Sequence, residues 1–339
     1  MRFSRYFCVA IALCLGACSD NGGEALLTDY EARLSRTLGL DFSATDLAEP
    51  PRKPRAEALQ LKLQSSDIGT LDFLALTGCE LQITIGKRNS SLGKLAAPSQ
   101  RLLLDLEFLR HAPACIAHLE SKGDQQALVA LLEQSQELKQ QQLGQQIFNA
   151  TLAGPEWHAF WKPRALPAGY PKATTSDQVL QALDAITHMA SRWLAGDYTA
   201  DNQAFEANLN ALRAGDGGVI ITANQMAQTF ITRWNRDLTQ KAQQPACRSL
   251  NTTKKTILET VVAKYFAGGV QQWLAPIISR TDSIQASSLT LEQLLSDVSP
   301  DAYQRWQRQR SEHLGSVKPS VVTHVHALQN IMRNCEPKA

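Results

Sequence analysis

Thr175-Ser176-Asp177-Gln178-Val179-Leu180-Gln181-Ala182-Leu183-Asp184-Ala185-Ile186-Thr187-His188-Met189-Ala190-Ser191-Arg192-Trp193-Leu194-Ala195-Gly196 decides the fold. Val179, Leu183, Ile186, Ala190 and Trp193 recur at alternating steps of four and three, which places all five on one face of a helix. Thr175 to Gln178 has the form of a capping box, and Gly196 is a stop signal. The same pattern continues downstream. Asp201 to Ala214 predicts a helix burying Phe205, Leu209 and Leu212, and Gly215, Gly217 and Gly218 make a turn. Val219 to Gln240 then carries Met226, Phe230, Trp234 and Leu238 on one face. Three helices joined by short turns pack antiparallel.

The remaining segments read the same way. Glu24 to Leu38 is a helix with Leu27, Tyr30, Leu34 and Leu38 as its stripe and Gly39 at its end. Asp41 to Arg55, with three prolines, is a linker. Leu59 to Leu63 alternates like a strand but has no partner segment. From Ser66 the apolar spacing turns helical. Arg101 to His111 is a helix that Pro113 should interrupt. Asp124 to Ala150 reads as one glutamine-rich helix with a solvated glutamine face. Trp157, Phe160 and Trp161 have the spacing of a buried helical face. After Thr253, Gly268-Gly269 should bend or break the helix, and Ser288 to Leu295 and Pro319 to Asn334 add further helices. The expected fold is all-α, with about ten helices in two packed lobes stapled by disulfides. The expected boundaries are 57–162 for one lobe, 163–174 for a proline-rich connection and 175–339 for the other.

The amino terminus carries an address. Met1-Arg2-Phe3-Ser4-Arg5 is short and basic, Tyr6 to Ala17 is apolar, and Leu15-Gly16-Ala17-Cys18 closes the run. The pattern resembles the lipobox of bacterial lipoproteins. It implies removal of residues 1–17, lipidation of Cys18 with palmitate among its acyl chains, and a membrane contact made through that anchor. Residues 18–56 are then a tether, a first helix and a linker. The apolar run is about half the length of a bilayer-spanning helix. The leader takes Arg2 and Arg5 from a total of 34 basic residues, leaving them level with the 32 acidic ones. A neutral chain argues against nucleic-acid binding. Four cysteines remain, Cys79, Cys115, Cys247 and Cys335, an even number suited to an oxidising compartment. Three pairings exist. Cys79 with Cys115 and Cys247 with Cys335 are favoured because each stays within one half of the chain.

The most unusual stretch runs from Gly78-Cys79-Glu80 to Lys87-Arg88-Asn89-Ser90-Ser91-Leu92-Gly93. Glu80, Arg88, Asn89 and Ser90 are the candidate binding residues, since a guanidinium fork with amide and hydroxyl neighbours suits recognition. The competing reading makes Arg88 a structural residue that satisfies carbonyls where a helix ends, with Leu92 and Leu95 resuming a buried pattern.

Cys79-Glu80-Leu81-Gln82, the Lys87 to Gly93 run, Ser99-Gln100-Arg101 and Cys115 resemble a family of proteobacterial lipoproteins catalogued only as a domain of unknown function. The resemblance implies an envelope lipoprotein, and with Ser19 after the lipidated cysteine it implies the outer membrane, facing the periplasm. It carries no catalytic residues. His324 and His326 lie two apart on a predicted helix, so they diverge and cannot share a metal. Asp105 and Glu107 diverge for the same reason. No G-x-S-x-G, H-E-x-x-H or phosphate-binding glycine loop occurs. The sequence therefore predicts no cofactor, no metal and a non-catalytic module that binds an envelope protein. The rival is a small-ligand or glycan binder, or an unrecognised hydrolase, built around Arg88.

Overall fold

A computed structural model describes residues 22–43, 49–64, 70–123, 125–171, 177–243 and 251–334. Among these residues all regular structure is helical, and no strand occurs. Helix α1 (Gly23–Leu38) buries the four residues of its expected stripe and ends at Gly39, whose left-handed conformation suits a glycine. Helix α2 (Ala56–Leu59) stops where the alternating pattern begins. Residues 60–64 run extended without joining a sheet. A side-chain amide takes the place of a strand partner: Leu61 N–H donates to Asn149 Oδ1 at 2.8 Å, and Asn149 Nδ2 donates to the Leu61 carbonyl at 2.9 Å.

Helices α3 (Thr70–Ala75), α4 (Leu81–Asn89) and α5 (Ser91–Lys94) lead into α6 (Pro98–Lys122). Pro113 does not interrupt α6, contrary to the sequence pattern. It lies on the exposed side, so ring and missing N–H face away from the packed face carrying Ala112 and Cys115. The glutamine-rich segment is two helices, α7 (Gln126–Gln141) and α8 (Leu143–Ala150), separated at the non-helical Gln142. The break turns α8 inward, burying Leu143, Ile147, Phe148 and, unexpectedly, Gln146. In α9 (Pro155–Trp161) all three aromatic rings are buried, as their spacing implied.

The decisive stretch forms α10 (Gln178–Leu194), whose five-residue stripe is buried throughout. Thr175 and Ser176 fall outside the described residues. Asp177 precedes the helix without capping it, and its Oδ1 accepts from Arg280 at 3.3 Å. In α11 (Asn202–Ala214) Asp201 is a working cap, accepting the Ala204 N–H at 3.0 Å. Helix α12 (Gly217–Gln243) follows directly. Gly218 is required there, because a Cβ would lie 1.8 Å from the Lys162 carbonyl oxygen. Beyond it, α13 (Thr252–Val261), a π-helical segment (Val262–Val270) and α14 (Gln271–Leu294) run as one continuous rod. Gly268-Gly269 does not break the rod. It falls in the widened turn, where Gln271 N–H reaches back five residues to Phe266. Helices α15 (Asp301–Gly315) and α16 (Val317–Asn334) complete the fold, with Pro300 at the cap position of α15.

Helix α16 lies along α12, α10 packs on α11 and α14, and α1 lies across α12, α13 and the π segment. The buried apolar residues form two clusters. The larger runs from Leu27 to Ile331 and joins Trp157 and Phe160 to Val179, Leu183 and Trp234 across the proline-rich connection. The smaller comprises Leu76, Leu81, Ile85, Phe108, Ala112, Cys115, Leu119, Leu128 and Leu132. Helix α6 serves both, since Leu102, Leu106 and Leu109 belong to the larger cluster.

Candidate functional site

The joint between the two clusters holds a buried carboxylate. Asp105 on α6 accepts from Lys139 Nζ at 2.5 Å, from Gln146 Nε2 at 2.6 Å and from Arg88 Nη1. One carboxylate thus ties α4, α7 and α8 to α6, and Gln146 is the contact from the larger cluster. Burial pushes the Lys139 ammonium down and Asp105 pulls it up, with a net depression. Two cations and an amide satisfy this one carboxylate, so it resembles a bracket more than a reaction centre.

Arg88 therefore does not serve loop carbonyls, as the sequence suggested. It lies in the last turn of α4, one residue before the helix end, and its partner is a carboxylate. The other candidates do not gather around it. Asn89 and Ser90 are exposed. Ser90 caps α5, accepting the Gly93 N–H at 3.0 Å and donating to the Lys87 carbonyl at 2.7 Å. Glu80 is exposed and lies 2.9 Å from His111 Nδ1. Glu107, two residues from Asp105, turns the other way as expected and holds Lys87 Nζ at 2.8 Å. Burial raises the Glu107 pKa, but Lys87 and neighbouring groups outweigh it and hold the carboxyl below its ordinary value.

Leu92 and Leu95 do not return to the core. They are 84% and 85% exposed, and Leu74 and Ile83 are 59% and 62% exposed. Of the large apolar side chains exposed among the described residues, these four sit on or beside α3, α4 and α5; the others, Leu194, Ile257 and Val322, are scattered. Single exposed leucines are ordinary, whereas these four fall within one stretch of three short helices. Lys87, Lys94 and Arg101 lie in the same stretch and are all exposed.

A cleft of about 410 Å³ opens between α4, α6 and the segment joining α10 to α11. Lys87, Glu107 and Arg110 bring charge to it, Gln100, Tyr198 and Asn202 bring hydrogen-bonding groups, and Leu103, Leu104 and Ala200 bring apolar surface. Arg88 does not line it.

Another ion pair is closed into the core. Glu292 and Arg310 are wholly buried and pair through two contacts of 2.8 Å. Tyr303 and Gln307 complete the carboxylate at 2.6 and 3.0 Å, and the guanidinium stacks on Trp161 and Trp306. Sequence reasoning missed this pair, although Arg310 falls on the stripe formed by Tyr303, Trp306 and Leu314. It missed Lys139 and Gln146 too, and nothing local in the sequence marks either one. His324 is buried between Tyr30 and Asn235, while His326 is exposed on the opposite side of α16. Cys79 and Cys115 form a disulfide; Cys18, Cys247 and Cys335 fall outside the described residues. Among the described residues no three His, Cys, Asp or Glu side chains converge as a metal site would require, and no helix is long and apolar enough to cross a membrane.

A family model described as a protein of unknown function (DUF3080) matches residues 27–338. No curated protein matches the chain. No solved structure matches it.

Proposed function

We propose that this chain, which belongs to the DUF3080 family, is a lipid-anchored envelope protein acting as a non-catalytic docking module. In this reading Cys18 carries the acyl chains, the first helix starts close to the membrane, and the protein faces the periplasm from the outer membrane. The two-lobe arrangement belongs to the same proposal: a smaller lobe stapled by Cys79–Cys115 presents the docking surface, and a Cys247–Cys335 pair would tie the carboxy-terminal part.

The observation that supports the reading is the exposure of Leu74, Ile83, Leu92 and Leu95 on α3 to α5. Lys94 and Arg101 beside them favour a protein partner that offers apolar side chains rimmed by carboxylates. Helix α1, which follows the anchor, packs on α12, α13 and the π segment and leaves the smaller lobe to other contacts.

The test is site-specific photocrosslinking in cells. A crosslinker at position 92 or 95 should give an adduct of one defined mass, and one at Ile257 should not. Substituting Leu92→Ser with Leu95→Ser should abolish capture from position 83 while the protein level stays unchanged. Equal adducts from all positions, or adducts to lipid alone, would overturn the docking surface. Fractionation of Cys18→Ser tests the anchor separately: a variant that still partitions with the outer membrane would refute it.

A further inference from the structure

We infer that the cleft between α4, α6 and the α10–α11 connection binds an acidic saccharide, a sugar ring carrying a carboxylate. This site is separate from the leucines of the docking surface, and its failure would leave that reading intact.

Three features of the cleft carry the inference. The first is an oriented cation. Among the described residues Arg110 has no carboxylate partner. Its Nη2 lies 3.0 Å from His111 Nε2, and His111 Nδ1 lies 2.9 Å from Glu80. With the proton on Nδ1, His111 donates to Glu80 and accepts from Arg110. The chain Glu80–His111–Arg110 thus fixes one edge of the guanidinium and leaves a planar fork for a carboxylate. Lys87, by contrast, is already matched by Glu107, so the lining charge exceeds neutrality by this one cation.

The second feature is a set of neutral polar groups beside an apolar floor. Leu103 and Leu104 are half-buried on the same face of α6 as Gln100 and Glu107, and all four line the cleft. A sugar ring has this dual character: hydroxyls at its rim and a C–H face that packs on aliphatic or aromatic carbon. The Tyr198 ring and Ala200 offer the opposite wall. The volume falls within the range of small-molecule sites and suits one or two sugar rings.

The third feature is rigidity. The Thr199 carbonyl accepts from Trp193 Nε1 at 3.1 Å and from Arg192 Nη2 at 3.0 Å, while its N–H donates to Asp197 at 3.1 Å. Arg192 and Asp197 pair at 3.2 Å. Gln100 Nε2 bridges Asn202 Oδ1 at 3.0 Å and Glu206 Oε1 at 2.6 Å, tying α6 to the start of α11. A connection held in this way before any ligand arrives loses little freedom on binding.

The experiment is saturation-transfer NMR and titration calorimetry on the mature full chain, with methyl β-D-glucuronide against methyl β-D-glucoside. The two probes differ in the carboxylate alone. The glucuronide should bind saturably and about tenfold more tightly than the glucoside, the worth of one charge-assisted contact. Arg110→Gln should remove that preference without shifting the melting temperature, because Arg110 is exposed. Glu80→Gln, which loosens a positioning residue, should reduce the preference in part, and Tyr198→Ala should weaken both sugars. Leu92→Ser with Leu95→Ser should leave all of this unchanged. No saturable glucuronide binding, equal affinity for the two sugars, or a preference that survives Arg110→Gln would each overturn the assignment.

Discussion

The Tyr30 hydroxyl lies 2.9 Å from His324 Nε2, joining positions 294 residues apart. His324 Nδ1 meets Asn235 Oδ1 at 3.0 Å, and burial favours the neutral imidazole, which then donates through Nδ1 to the amide oxygen and accepts from the phenol. Three rings, Tyr30, Trp234 and Phe266, enclose it. Helix α1, the π segment, α12 and α16 meet at this one side chain. Burial pushes the His324 pKa from 6.5 to about 3.

The sign of the pH effect follows. An imidazole whose pKa is lower in the folded state contributes its stability above the unfolded value of 6.5, and that stability is lost as pH falls toward about 3. Stability should therefore drop by about 2 kcal/mol between pH 6.5 and about pH 5, the worth of that part of the shift. Urea melts at a series of pH values check this. His324→Gln should flatten the slope in that window, and an unchanged slope would place the acid sensitivity elsewhere.

Asp105 gathers Arg88, Lys139 and Gln146 at the joint of the two clusters. Asp105→Asn should cost about 3–5 kcal/mol, because Lys139 is left buried beside Arg88 without a counter-charge. Arg88→Ala should cost less, about 1.5–3 kcal/mol, since Lys139 and Gln146 still hold the carboxylate. Arg88→Lys should restore part of that loss. Equal melting temperatures for Asp105→Asn and the parent chain would remove the bracket from the account.

Lys53 anchors the proline-rich linker. Its ammonium donates to the Leu152 carbonyl at 2.9 Å, and burial drives its pKa from 10.5 down to about 7. A lysine depressed in this way contributes fully above 10.5, and the contribution is lost as pH falls toward 7. The parent chain should gain stability from pH 7 to 10 in guanidinium melts, and Lys53→Met should show a smaller gain over the same range.

The Cys79–Cys115 disulfide closes a loop with a sequence separation of 36. In the chain-entropy model that constraint is worth about 4 kcal/mol. Cys79→Ser with Cys115→Ser should melt at lower temperature, and hydrogen exchange should rise first in α3 to α5, whose cluster is the smaller one. A uniform rise across all helices would show that the two clusters unfold together.

Periodic burial was legible in the chain itself. The stripes of α1, α10 and α11 follow from 3.6-residue geometry, and no competing contact changes which face turns inward. The glycine stop at Gly39 and the Asp201 cap are local as well, so the residues that specify them lie within a turn. The divergence of Asp105 from Glu107 is likewise helix geometry.

Tertiary structure decided what depends on distant partners. Pro113 stays inside α6 because its face is turned to solvent while Ala112 and Cys115 pack inward, a fact about the neighbours of α6. Gln146 is buried because Asp105 meets it across 41 positions. Asn149 replaces a missing strand because an extended segment 88 positions away needs its backbone groups satisfied. Leu92 and Leu95 carry an apolar spacing that reads as core, yet among the described residues no helix covers them, and spacing alone does not say whether a partner element exists. Arg110 acquires its place in the cleft only when α6 stands beside the α10–α11 connection. Apolar period and caps act over a few residues and are written locally. The pairing of charges, the covering of a face and the opening of a cleft arise between segments that the chain separates and only packing brings together.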